Sequence, residues 1–298
     1  MALPNLFADL RQTSGSVVCP SCGKLVGVND DACYNCGRRN PGMWGFAKAL
    51  RRFGNDLGFV PIVMGSCILL YVACLIADPS ALTAGGTGIF GFLSPSRPSL
   101  IVFGASGPGP VVLADRWWTL LSAGWLHGSL LHIFFNLLWV RQLAPLVASL
   151  YGPARMVILY TVASVTGFLF SSLAVFAPGL FQWALGGGHP QTITVGASAA
   201  IFGLLGAIIH YGRKGSSELS SQAWTYAVVL FLFGIFMNGV DNWAHLGGFV
   251  GGYLMAYVLD PAKPERTDHM FAALLCLALT FAAVALSFVT GLDLVRGG

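Results

Sequence analysis

Charge is scarce in this chain. Aspartate, glutamate, lysine and arginine make up 9% of its 298 residues, where a soluble domain carries roughly a quarter. Hydrophobic residues reach 55%, and the mean hydropathy is +0.72. A deficit spread over most of the chain excludes an ordinary soluble domain and implies a polytopic membrane protein. The formal net charge of +4 is modest and gives no case for nucleic acid as a partner. The opening MALPNLFADLRQTSG also lacks the basic, apolar and small-residue order of a signal peptide, so the first span is expected to direct insertion.

Seven apolar segments approach the 20 or so residues needed to cross the hydrocarbon. They cover 59–77, 129–150, 154–176, 195–210, 223–239, 244–259 and 271–290, and the fourth to sixth are short. Lys48, Arg51, Arg52, Arg155, Arg213, Lys214, Lys263 and Arg266 fall on one side of this arrangement, with Arg141 near the same side. The other side holds Arg97, Arg116 and Arg296. Positive charge marks the inside, so the N-terminus is expected in the cytosol and the C-terminus outside. A bacterial inner membrane is the expected location.

The stretch VVCPSCGKLVGVNDDACYNCGRRN places Cys19, Cys22, Cys33 and Cys36 as C-x2-C, ten residues, C-x2-C. Four thiolates in two such knuckles suit a tetrahedral Zn²⁺, with Gly23 and Gly37 turning the chain around it. A cytosolic position disfavours disulfides. The reading is a structural zinc ribbon with no open coordination position, and no cofactor is expected for catalysis. Arg38, Arg39, Lys48, Arg51 and Arg52 are available for anionic lipid headgroups, or serve only as inside charge. A protein partner for the ribbon is a further expectation. Cys67, Cys74 and Cys276 lie within spans and read as small packing residues.

Polar side chains inside spans mark function more often than stability. They are His132, Asn136, Ser198, His210, Asn238, Asp241, Asn242 and His245. The topology puts His132, Asn136, Ser198, Asn242 and His245 at one level near the outer face, and His210 at the inner face. Ser198 is then a candidate nucleophile and His245 its general base. His132, Asn136 and the Ser198 backbone N–H are candidate oxyanion donors, and Gly196 allows close approach of backbone to substrate. Taken singly, each residue also reads as helix packing or interhelical hydrogen bonding. The fourth span, at about 24 Å, is shorter than the hydrocarbon is thick, so GGGHPQTIT before it is expected to dip inward and line a wet cavity. A second Gly-Ala-Ser at Gly104–Ser106 precedes Gly107-Pro108-Gly109-Pro110 and has no histidine partner. Other intramembrane chemistries fail by inventory: there is no H-E-x-x-H, no pair of aspartates inside the spans, and no lysine on the outer side.

Three blocks carry a family resemblance: RWWTLLSAGWLHGSLLHIFFNLLWV (116–140), VGASAAIFGLLGA (195–207) and NWAHLGGFVGGYL (242–254). With H-x3-N, G-x-S-x and A-H-x2-G-x3-G in this order, the chain resembles the rhomboid intramembrane serine proteases over about two-thirds of its length. The resemblance implies an all-α membrane fold with a six-helix core over 58–260. Outside this core the residues divide into a tail (1–16), the ribbon (17–40), a basic linker (41–57) and a linker with a seventh span (261–298), which resembles the extra C-terminal helix of some members. The resemblance also implies Ser198 as nucleophile, His245 as base, and single-span membrane proteins as substrates within the lipid bilayer. The 78–128 loop resembles the family's membrane-embedded first loop. Three departures stand out. Ala199 replaces the family's usual Gly, and Trp118-Thr119 replaces its Trp-Arg pair, leaving Arg116 as the substitute anchor. Phe202 takes the place of the aromatic that stacks on the histidine, often Tyr. Asn242 is a supporting candidate beside His245. The competing reading is a catalytically silent rhomboid-like protein that binds membrane clients. Such proteins lose the Ser or the His, and both are present here.

Overall fold

Apolar runs become helices wherever backbone groups cannot reach water, and helices dominate this chain. The computed structural model describes residues 11–52, 54, 56–79, 91–185, 192–237 and 239–296. Seven long helices lie among them: α1 (Phe59–Ala77), α2 (Leu130–Tyr151), α3 (Pro153–Leu173), α4 (Ser198–Gly212), α5 (Ser217–Phe236), α6 (Asn242–Val258) and α7 (Thr267–Arg296). Helices α1, α2, α3, α5 and α7 are long and apolar enough to cross a membrane. Helices α4 and α6 are shorter, at 15 and 17 residues.

Two expected boundaries are corrected. The fifth span does not start at 223: α5 begins at Ser217 and runs for 20 residues, so it is not short. The Ser216 hydroxyl caps it by accepting from Leu219 N–H at 3.4 Å, and polar Ser220, Ser221 and Gln222 conceal this first stretch from an apolarity count. The fourth helix does not start at 195. Gly196 adopts φ +122°, which breaks the helix before Ser198, and Thr194 instead pairs antiparallel with Ser106. Asn238 and most of GGGHPQTIT (186–191) lie outside the described residues.

Helix α4 occupies the centre, with every residue from Ala199 to His210 buried, as expected of a helix apolar all round. Small residues let its neighbours approach its backbone. A Cβ on Gly248 of α6 would lie 2.1 Å from the Ala199 carbonyl oxygen, and one on Gly252 would lie 2.3 Å from Gly203 Cα. This Gly-x3-Gly contact packs α6 directly on α4. It sets Ser198, at the start of α4, beside His245 in the first turn of α6. Toward the outside of the bundle, Val229, Leu232 and Phe236 on α5 and Phe271, Leu274 and Leu275 on α7 stay exposed, the lipid-facing surface of an integral membrane protein.

The described part of the first loop folds as short helical pieces, including Arg97–Phe103 and Thr119–Ser122. It is held to α7 by Arg116. This buried guanidinium donates to the Ile101 carbonyl at 3.0 Å, the Ser287 carbonyl at 2.8 Å and Thr290 Oγ1 at 3.3 Å. The structure therefore puts an arginine anchor on the loop despite Thr119, and joins the loop to the seventh helix.

Before the helices, β1 (Ser16–Val18) and β2 (Leu25–Gly27) pair antiparallel, with Val17 opposite Val26. The two cysteine knuckles repeat the same bonds. Gly23 N donates to Cys19 O and Gly37 N to Cys33 O, both at 2.9 Å. Cys19 N donates to Lys24 O and Cys33 N to Arg38 O, both at 2.8 Å. Gly23 and Gly37 both have φ near +70°, at +73° and +72°, the left-handed turn that favours glycine. The apolar core here is small: Val17, Val26, Val28, Met43 and Ala47 beside the cysteines.

Candidate active site

Ser198 is the first residue of α4, and its hydroxyl lies 3.0 Å from His245 Nε2. On the other side of the ring, Nδ1 lies 3.2 Å from Asn242 Oδ1. An amide oxygen only accepts, so this contact puts the proton on Nδ1 and leaves Nε2 to accept from the serine hydroxyl. Phe202, one turn along α4, stacks on the imidazole with ring centroids 4.3 Å apart and planes 19° from parallel. His245 and Asn242 are both buried. The ring is thus held on one side by Asn242 and on its face by Phe202.

His132 faces the turn before Ser198. Its Nδ1 accepts from Gly128 N–H at 3.2 Å, which leaves Nε2 carrying the proton. A Cβ on Gly196 would lie 2.6 Å from that Nε2, so the donor sits directly against the Gly196 backbone. Asn136 Nδ2 donates to the His132 carbonyl at 2.8 Å, leaving its second N–H for another acceptor. Gly196 gives the turn its close approach and not a free donor. Its N–H is taken by the Ala123 carbonyl at 3.0 Å, and the missing side chain leaves the space that the His132 ring fills. His210 is remote: it is buried near the far end of α4, edge-on to Tyr253 and Tyr257.

Asp241 stands next in sequence to Asn242, yet its carboxylate serves the scaffold. One oxygen caps α6 by accepting from Ala244 N–H at 3.1 Å. The other accepts from Thr194 Oγ1 at 2.6 Å and from the Ser171 hydroxyl. This network links α3, the turn before Ser198 and the start of α6, and sequence reasoning missed it. The second Gly-Ala-Ser is part of the same framework. Buried Ser106 exchanges two backbone hydrogen bonds with Thr194, at 3.1 and 2.8 Å. His127 was also missed: it is buried with its ring 5.2 Å from that of His132, and its only signal is its place five residues upstream.

The cysteines form a second candidate centre. All four Sγ atoms lie within 4.8 Å of one another, with Cys19 to Cys36 at 3.8 Å and Cys22 to Cys33 at 3.6 Å. Zn–S bonds of about 2.3 Å in a tetrahedron space the sulfurs roughly 3.8 Å apart. The donor set therefore fits a metal ion in size and chemistry, and none of the four is in a disulfide. Of the remaining cysteines, Cys67 and Cys74 are buried and Cys276 is half-buried, as packing residues are.

A model of the rhomboid domain matches residues 114–262, half of the chain. Among curated relatives, the chain is 29% identical over 191 residues to rhomboid protease GluP of Bacillus subtilis (strain 168), covering 62% of this chain and 34% of that protein. It is 30% identical over 172 residues to RHOMBOID-like protein 4 of Arabidopsis thaliana, covering 56% and 40%. It is 32% identical over 179 residues to RHOMBOID-like protein 7 of the same plant, covering 56% and 50%. The matched part thus spans between a third and a half of these relatives' lengths. With a helical membrane fold and a domain match over half its length, the chain belongs to the rhomboid family.

Proposed function

We propose that this rhomboid-family chain is an intramembrane serine endopeptidase working through a Ser198–His245 dyad. The observation that carries the reading is the 3.0 Å contact between Ser198 Oγ and His245 Nε2, with Nδ1 held by Asn242. His245 Nε2 takes the hydroxyl proton as Oγ attacks the scissile carbonyl, then gives it to the leaving amine. A water molecule, deprotonated by the same nitrogen, cleaves the acyl-enzyme. The negative oxygen of each tetrahedral intermediate takes hydrogen bonds from His132 Nε2–H, the free N–H of Asn136 and the Ser198 backbone N–H. The substrates are single-span membrane proteins, cut in or near the membrane where the helix opens.

The N-terminus is cytosolic, the C-terminus is outside, and the site opens to the extracytoplasmic side of a bacterial inner membrane. Arg155 in the first turn of α3, Arg213 and Lys214 between α4 and α5, and Lys263 and Arg266 between α6 and α7 support this orientation. In the ribbon, Cys19, Cys22, Cys33 and Cys36 hold a structural Zn²⁺ that supplies folding energy to a segment with a small core. A fluorophosphonate probe tests the dyad. Labelling of the Ser198 peptide that disappears in His245→Ala supports it; labelling that persists in His245→Ala, or falls on another residue, contradicts it.

A further inference from the structure

Both cysteine knuckles touch the same residue of the membrane domain. Ser21, between Cys19 and Cys22, accepts from Glu265 N–H at 3.2 Å through its hydroxyl. Arg38, two residues after Cys36, pairs its Nη1 with Glu265 Oε2 at 2.8 Å, and the two side chains are 2% and 1% exposed. Arg38 is thus buried, which removes it from the cations available to lipid headgroups. Glu265 lies in the loop between α6 and α7, and its other oxygen is also used. Oε1 accepts from Ala154 N–H at 2.7 Å and Arg155 N–H at 3.0 Å, capping the start of α3. Arg155 ties the same loop down by donating to the carbonyls of Asp260 at 3.1 Å, Lys263 at 2.9 Å and Pro264 at 2.5 Å, and to His269 Nδ1 at 3.1 Å. Met270, in the first turn of α7, packs on the ribbon's apolar core.

We propose that the ribbon is a metal-held clasp whose partner is the chain's own inner face, fastening the α6–α7 loop to the start of α3 through Glu265. The ribbon's core is too small to hold its shape alone. Metal at the four cysteines would fix the knuckles, and the knuckles fix Ser21 and Arg38. Without that shape, Glu265 keeps Arg155 nearby but loses its direct buried cation, and a carboxylate stripped of its partner does not stay buried cheaply. The loop and the first turn of α7 then loosen together with the ribbon. The surface buried by the ribbon is therefore an intramolecular interface, in place of a docking site for an outside protein.

Hydrogen–deuterium exchange on the full chain in detergent, with zinc measured in parallel, tests the clasp. The zinc-loaded protein should hold about one zinc per chain. Stripping it with a chelator should speed exchange at least tenfold in the ribbon, in 260–270 and in the first turn of α3. Arg38→Ala should keep its zinc and the ribbon's own protection while 260–270 exchanges as fast as in the stripped protein. Should Arg38→Ala lose its zinc, Glu265→Gln, which leaves the ribbon sequence intact, decides by the same comparison. Zinc well below one equivalent, or unchanged protection of 260–270 after stripping or in zinc-retaining Arg38→Ala or Glu265→Gln, overturns the proposal.

Discussion

His132 lies so close behind Gly196 that a methyl group added there would sit 2.6 Å from its Nε2. Gly196 also holds φ at +122°, a region that residues with a Cβ rarely adopt. Gly196→Ala should therefore cost about 1–3 kcal/mol in backbone strain alone and push His132 out of place. The expected result is a fall of at least tenfold in fluorophosphonate labelling of Ser198, read beside a lowered unfolding midpoint.

Asn242 is the hydrogen-bond partner of His245 Nδ1, at 3.2 Å. Removing it frees the imidazole to rotate and to move its proton to Nε2, where the ring no longer accepts from serine. Asn242→Ala should lower kcat by about 10²-fold or more, within the roughly 10²–10⁴-fold that a positioned general base contributes, with KM little changed, since no substrate contact is removed. Steady-state kinetics on a fluorogenic single-span substrate checks the split.

Asp241 invites comparison with the acid of a triad, and its bonds point elsewhere. It caps α6 and holds Thr194 and Ser171, leaving His245 to Asn242. Asp241→Ala should lower stability by about 0.5–2 kcal/mol, the range for a lost helix cap. It should fall far short of the roughly 10⁴-fold rate loss seen when a triad carboxylate is removed. Unfolding and cleavage measured on the same preparation separate the two effects.

Arg116 joins the first loop to α7 through three acceptors. Arg116→Leu leaves the Ile101 and Ser287 carbonyls without this donor and should cost about 1–3 kcal/mol. Arg116→Lys should recover only part of it, because an ammonium cannot span the same fork. Thermal unfolding in detergent is the measurement.

What the sequence made legible follows from range. Long apolar runs announce α1, α2, α3 and α7, because crossing hydrocarbon constrains every residue in them. Ser198, His245, His132 and Asn136 could be brought to one level from chain direction alone, and the structure gathers them around the start of α4. The start of α5 was hidden by its polar first turns, where capping by Ser216 outweighs hydrophobicity. The start of α4 was hidden because one glycine dihedral decides it. The Arg38–Glu265 pair joins residues 227 positions apart, and no periodicity reports a contact at that separation. Asp241 was visible as a carboxylate near the dyad, but its neighbours Ser171 and Thr194 arrive from other segments, so its partners could be read only in three dimensions.

The dyad is tested most directly by reconstituting wild type, Ser198→Ala and His245→Ala in liposomes with a model single-span substrate. Products are then identified by mass. The expected result is a cut in or near the substrate's membrane segment by wild type and none by either variant, with all three proteins equally folded. Cleavage that survives in both variants would contradict the Ser198–His245 mechanism. So would a folded wild type that cuts no single-span substrate while binding it, which is the behaviour of a silent client-binding relative.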